Sequence, residues 1–135
     1  MNMNTNQQGK ITELKILTYM TELGYAVSIP FGDKERYDQI WDINGKLLRI
    51  QVKTSHLKNE NSFLFKCKST SNGVDHRYTT DEIDYFATWW NNNVYLVPVQ
   101  ECSLEKTLWL NKPKNGCPKC SMAEKYLVTE VLKNI

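Results

Sequence analysis

No run of about eighteen apolar residues occurs anywhere in the 135-residue chain, so no transmembrane helix is expected. The first eight residues, Met1 to Gln8, are polar and rich in Asn and Gln. They lack the apolar segment of a secretory signal, and a soluble cytoplasmic protein with no membrane partner is expected. Charge of one sign is also missing. The net charge is only +2, so overall charge does not announce a nucleic-acid partner. Internal repeats and linker stretches are absent, and the length suits a single domain, residues 1–135.

Cysteine is sparse and poorly arranged for a framework. Cys67, Cys102, Cys117 and Cys120 have no export signal beside them, which argues against disulfides. Cys117-Pro118-Lys119-Cys120 has the spacing of half a zinc site, but His56, His76, Cys67 and Cys102 are scattered singletons. A structural zinc at Cys117/Cys120 is therefore disfavoured against a turn without metal. A redox role is weaker still, because such a motif should open a helix after an early strand.

What is present reads as alternating helix and strand. Residues 9–23 read as a helix stopped by Gly24, with Leu14, Ile16, Leu17, Met20 and Leu23 on one apolar arc. Lys15, Thr18, Tyr19 and Glu22 fall on the opposite side. Glu13 lies inside the arc, where a carboxylate costs several kcal/mol unless it is paired or bound to a metal. The other reading is an acid left in water near the first turn, favoured by the helix dipole. Residues 25–31 read as a strand ended by Pro30, with a Gly32-Asp33 turn after it. Residues 62–69 form another, with Phe63, Phe65 and Cys67 alternating against Leu64, Lys66 and Lys68. A loop follows at Ser71-Asn72-Gly73. The pattern predicts a second helix over Thr79 to Trp90, with Thr79 and Glu82 as a capping box and Asn91-Asn92-Asn93 ending it. Val94 to Val99 is a buried strand, and a last helix spans Ser121 to Leu132. The class is α+β, a mixed central sheet flanked by helices. The core covers about 9–100 and a C-terminal extension about 101–135.

The sharpest local signal is Asn44-Gly45, a two-residue hairpin turn between residues 37–43 and 46–53. In that register Ile43 faces Lys46, Ile40 faces Arg49, Asp38 faces Gln51 and Arg36 faces Lys53. Opposed side chains share a face with Cβ atoms about 5 Å apart, so Asp38, Gln51 and Lys53 converge. Trp41, Ile43, Leu48, Ile50 and Val52 fill the other face as core. A carboxylate, an amide oxygen and an ammonium at one spot suit a divalent ion and a phosphate. Asp38 and Glu13 are the anionic ligands, Gln51 and the Val52 carbonyl neutral ones, and Lys53 orients water or steadies the pentacovalent state. The competing reading is a surface cluster in which Asp38 pairs with Lys53 or Arg36. Arg49, Lys53, Lys58, Lys66, Lys68 and Arg77 make a basic middle section, either a solvated surface or a nucleic-acid contact.

Glu13, the stretch Gly24-Tyr25-Ala26-Val27-Ser28-Ile29-Pro30-Phe31-Gly32-Asp33, Arg36-Tyr37-Asp38 and Gln51-Val52-Lys53 together resemble the PD-(D/E)XK nuclease superfamily. Within it the likeness is strongest to intron-encoded homing endonucleases, whose motif carries glutamine where an acid is usual. The resemblance implies an α/β/α-type core, catalytic roles for Glu13, Asp38, Gln51 and Lys53, and Mg²⁺ (or Mn²⁺) as cofactor. Two departures stand out: Gln51 lacks a charge, and Tyr37 occupies the place of the usual proline. The implied function is a metal-dependent DNA endonuclease of the homing type, cutting double-stranded DNA as a homo-oligomer, dimer or tetramer. Arg36, Lys58, Lys66, Lys68 and Arg77 are the expected DNA contacts. A junction resolvase or restriction-type nuclease of the same core is one alternative. A catalytically silent DNA-binding module is another.

Overall fold

The computed structural model describes residues 3–32, 34–113 and 115–135; Asp33, from the expected Gly32-Asp33 turn, lies outside them. Helix α1 (Thr5–Glu22) begins four residues earlier than the periodicity indicated. Asn4 is the cause: its Oδ1 accepts from the Gln7 amide at 2.9 Å, and Gln7 Oε1 accepts from the Asn4 amide at 3.1 Å. Gly24, at φ +95°, ends the helix in the left-handed conformation its lack of Cβ permits.

Strands β1 (Ala26–Ser28), β2 (Gln39–Ile43), β3 (Lys46–Thr54), β8 (Tyr85–Trp90) and β9 (Asn93–Pro98) make a five-stranded sheet in the order β1-β2-β3-β8-β9. All its pairings are antiparallel except β3 with β8. The chain between those two parallel neighbours is an excursion of four strands, β4 (His56–Asn59), β5 (Ser62–Lys66), β6 (Lys68–Ser71) and β7 (Val74–Arg77). Strand β10 (Glu105–Trp109) joins β5 and β4 in a three-stranded sheet, and β6 pairs with β7 in a two-stranded one. A short helix α2 (Val128–Leu132) closes the chain. Two cores result. Ile16 and Met20 of α1 and Val128 and Leu132 of α2 pack with Trp41, Ile43, Leu48, Ile50 and Val52. Phe63, Phe65, Cys67 and Leu108 of the small sheet pack with Ile83, Phe86, Tyr95 and Val97. The mixed α+β class stands, with helices against one face of the central sheet and strands against the other.

The hairpin register is the expected one: Ile43 pairs with Lys46 and Ile40 with Arg49 across Asn44 (φ 54°) and Gly45 (φ 95°). Trp41, Ile43, Leu48, Ile50 and Val52 are all buried. The helix expected over Thr79 to Trp90 does not form. Its capping contacts exist, since Glu82 Oε1 accepts from the Thr79 amide at 3.0 Å, and the Glu82 and Ile83 amides reach the Thr79 carbonyl at 3.0 and 3.1 Å. After that one turn the Asp84 amide bonds the Arg49 carbonyl at 2.9 Å and the chain enters the sheet as β8. A strand buried on both faces carries apolar residues at successive positions, so spacings of three and four arise without a helix. Asn91 (φ 48°) and Asn92 (φ 66°) are accordingly the turn of the β8–β9 hairpin, not a helix terminus.

Other expectations shift in smaller ways. The strand over 62–69 breaks at Cys67 into β5 and β6, and β4, β7 and β10 carried no strong signal. The last helix shortens to a 3₁₀ turn at Ala123–Tyr126 followed by α2. Cys117 and Cys120 are joined as a disulfide, against the expectation that disulfides are disfavoured and this motif is a plain turn. Among the described residues no helix is long and apolar enough to cross a membrane.

The arc drawn for α1 is rotated. Thr12, Ile16 and Met20 are buried, while Leu14 is 60% and Leu23 43% exposed. Tyr19, expected on the wet side, meets Trp89 edge-on at 5.9 Å. Polar bonds set this rotation: Thr12 Oγ1 lies 3.1 Å from Thr54 Oγ1, and Gln39 Nε2 donates to the Glu13 carbonyl at 2.9 Å. Gln39 is itself buried and accepts from Trp41 Nε1 at 2.9 Å. Gln39→Leu should leave the indole N–H without its partner and strip the Glu13 carbonyl of the bond that ties it to the sheet, leaving that oxygen only its place in the helix ladder. A loss of about 2–3 kcal/mol in urea unfolding is expected; a loss below about 0.5 kcal/mol would mean these bonds do not hold the helix.

Candidate active site

Glu13, Asp38, Gln51, Val52 and Lys53 line one cleft of about 620 Å³ between the first half of α1 and the open end of the β2–β3 hairpin. Each arrives by a different local rule. Rotation of α1 towards Thr12 leaves Glu13 at the border of the buried stripe, half-buried and facing the cleft. Asp38 stands just beyond the ladder, which ends at Gln39 opposite Ile50. Its amide donates to the Ile50 carbonyl at 2.8 Å, and its Oδ2 accepts from the Val52 amide at 3.0 Å. Gln51 and Lys53 alternate with buried Ile50 and Val52 along β3, so the pleat turns both to the cleft.

Glu13 and Asp38 lean on each other. Burial, then the charge of Asp38, lifts the Glu13 carboxyl above its usual range, against the pull of Lys10. Burial likewise raises Asp38, opposed by the Val52 amide and by Lys53. Lys53 is lowered by burial, with Asp38 opposing. Two half-buried carboxyls side by side form a locus that favours a proton or a cation. Among the described residues, no three His, Cys, Asp or Glu side chains gather together. A metal ion here would therefore rest on two acids and neutral oxygens. The donor set is all oxygen, which suits a hard divalent ion and not zinc on thiolate or imidazole.

The basic residues divide. Lys66 and Lys68 line the cleft with Lys53, and Lys68 also bonds Asp75 at 2.8 Å. Lys58 lies outside it, bonded to Thr107 Oγ1 at 3.2 Å, and Arg77 reaches the Cys102 carbonyl at 3.5 Å. Arg36 does not oppose Lys53 across the hairpin. Before Asp38 the chain leaves the ladder, and Arg36 turns to the β6–β7 hairpin. There its Nη1 donates to Ser69 Oγ at 2.8 Å and its Cζ sits 3.8 Å from the centre of the Tyr78 ring. Its Nε is 2.8 Å from Glu82 Oε2, a charge contact without hydrogen-bond alignment. Of the ionisable residues that line the cleft, Lys10 and His56 escaped sequence reasoning. Lys10 could have been found: it precedes Glu13 by three on the helix and its Nζ lies 3.6 Å from Glu13 Oε2. His56 had no signal, because β4 was invisible in the pattern.

Paired carboxyls, an amide and a lysine in a basic-walled cleft are suited to phosphodiester chemistry. The family model of the PD-(D/E)XK endonucleases matches residues 3–129; the chain belongs to that family and is an endonuclease. Its fold is similar to the solved structure of a bacterial homing endonuclease, I-Ssp6803I, with a TM-score of 0.75. The two are 21% identical, over 98% of this chain and 95% of the other, a likeness of fold. No curated protein sequence matches.

The raised carboxyls set a pH dependence of stability. The native state keeps protons that the unfolded chain releases, so ionising the pair at neutral pH costs stability, and acidification towards the ordinary carboxylate range restores it. Asp38→Asn removes that cost. Its melting temperature should exceed the wild-type value at neutral pH, with the gap closing as pH falls through the raised values. Thermal unfolding across pH checks this; a gap constant with pH would contradict it.

Proposed function

We propose that this endonuclease hydrolyses phosphodiester bonds in double-stranded DNA with a divalent metal ion, as a site-specific enzyme of the homing type. The convergence of Glu13, Asp38, Gln51 and Lys53 in one cleft supports the reading most strongly. Hydrolysis adds negative charge to a phosphate that is already anionic, so the site needs cations at the reacting group and few competing anions. Glu13, Asp38, the Gln51 amide oxygen and the Val52 carbonyl would hold Mg²⁺ (or Mn²⁺), which supplies Lewis-acid charge against the phosphate oxygens. Lys53 Nζ donates one N–H to the Lys68 carbonyl at 2.9 Å, and an ammonium carries three donors. Those remaining can orient the attacking water or meet the charge that develops on phosphorus oxygens. Lys66 and Lys68, with Lys10 from the opposite wall, would seat the flanking phosphates.

The metal requirement fits the electrostatics. Burial raises both carboxyls and the charge of Asp38 raises Glu13 further, so a cation between them would relieve the cost of burial and the repulsion felt by Glu13. Replacing an acid by Gln51 removes one unit of that attraction, so binding is expected to be weaker than at a site with three acids. One such site cuts one strand. A double-strand break then requires at least two protomers, and a homo-oligomer, dimer or tetramer, follows from the proposal.

Purified protein incubated with supercoiled, four-way-junction and intron-site DNA should cleave only when Mg²⁺ is present and prefer the duplex intron site. Lys53→Ala and Asp38→Asn should lose about a hundredfold or more in rate while keeping DNA affinity. Preference for the junction without regard to sequence would assign a resolvase. Binding with no cleavage in any metal would assign a silent module. Gln51→Glu is expected to keep the fold and to lower the Mg²⁺ concentration that gives half-maximal rate.

A further inference from the structure

Lys53 is held by uncharged groups. Its Nζ donates to the Lys68 backbone carbonyl at 2.9 Å and lies 5.2 Å from the centre of the Tyr78 ring. Among the described residues no carboxylate comes within ion-pair distance of it. That choice of anchors matters chemically. An aspartate or glutamate would fix the ammonium equally well, but it would cancel the charge offered to an anionic phosphate. A carbonyl dipole and the negative face of an aromatic ring attract the ammonium and leave its unit charge intact.

The ring itself is immobilised. Tyr78 packs edge-on against core Phe86, with centroids 5.3 Å apart at 85°. The Arg36 guanidinium covers it at 3.8 Å. Glu82 and Ser69 hold Arg36 in turn, each at 2.8 Å, and Glu82 offsets a charge that would otherwise repel Lys53. Both anchors stand at the base of one hairpin, since Lys68 opens β6 and Tyr78 follows β7. A flexible four-carbon stem is thereby aimed from two fixed points.

We propose that Tyr78 is a positioning residue for Lys53: its ring, together with the Lys68 carbonyl, sets the place of the ammonium without neutralising it. This rests on the reading of Lys53 as the cation that meets the phosphate. It adds a residue that lies outside the motif and acts through the lysine.

The test compares Tyr78→Leu, Tyr78→Phe and Lys53→Ala in single-turnover plasmid cleavage with Mg²⁺. DNA affinity and melting temperature are measured alongside. Tyr78→Leu should lose about tenfold or more in rate with affinity within about twofold, while Tyr78→Phe, which keeps the ring, stays within about threefold of wild type. Lysine labelled with ¹³C at Cε gives a readout independent of activity. The Lys53 methylene signal, identified by its loss in Lys53→Ala, should lie displaced by the ring in wild type and Tyr78→Phe and return towards free lysine in Tyr78→Leu. Full activity of Tyr78→Leu beside an inactive Lys53→Ala overturns the role of Tyr78 and leaves that of Lys53 standing. An active Lys53→Ala removes both. A wild-type methylene signal at the free-lysine position overturns the positioning role even if Tyr78→Leu fails to fold.

Discussion

The buried amide of Gln39 joins the two elements that make the cleft. It donates to the backbone carbonyl of Glu13 in α1 and accepts from the indole of Trp41 in its own strand, both at 2.9 Å. A buried amide without partners would be costly, so this geometry is held in place by what its loss would expose. The carbonyl it grips belongs to the residue whose carboxyl faces Asp38. Helix rotation, the depth of Glu13 and the approach of the two acids all follow from that bond and from the Thr12–Thr54 contact beside it.

Around this joint the molecule separates stability from electrostatic tension. The hydrophobic cores lie on the two faces of the central sheet, and the polar cleft opens at the end of the hairpin. Strand β3 serves both: Ile50 and Val52 are core, while Gln51 and Lys53 are turned to the cleft. The strained feature is the pair Glu13 and Asp38, both raised by burial. A scaffold fixed on both faces can keep two such acids together, whereas a flexible loop would let them part. Residues kept at an energetic disadvantage in a preformed cleft are typical of functional sites.

Where the sequence could be read, the signal was local. Asn44-Gly45 permits only a narrow set of turns, and once the turn is known every cross-strand neighbour follows. That is why the face of Trp41, Ile43 and Leu48 and the opposite face of Gln51 and Lys53 were legible from residue types alone. Where reading failed, the missing information was non-local. Phe86 and Ala87 look helical by spacing, and Thr79 and Glu82 do make their capping contacts. Arg49 nonetheless seizes Asp84, through its backbone at 2.8 Å and its guanidinium at 3.0 Å, and draws the chain into a parallel strand. Nothing within the segment encodes that partner 35 residues away.

Arg36 and Lys10 show the same limit at the cleft. Arg36 was expected at a phosphate, yet a tyrosine, a serine and a glutamate from the long crossover between β3 and β8 occupy it. Lys10 joins the cleft only because the helix packs beside the hairpin. Short-range rules of turn geometry, pleat and capping bind neighbours along the chain, and they suffice for a hairpin, a helix terminus and the side to which each β3 residue points. The meeting of α1 with that hairpin, and the strands that cover the far face, depend on packing between distant segments. Such packing is a property of the assembled core, and no stretch of residues carries it alone.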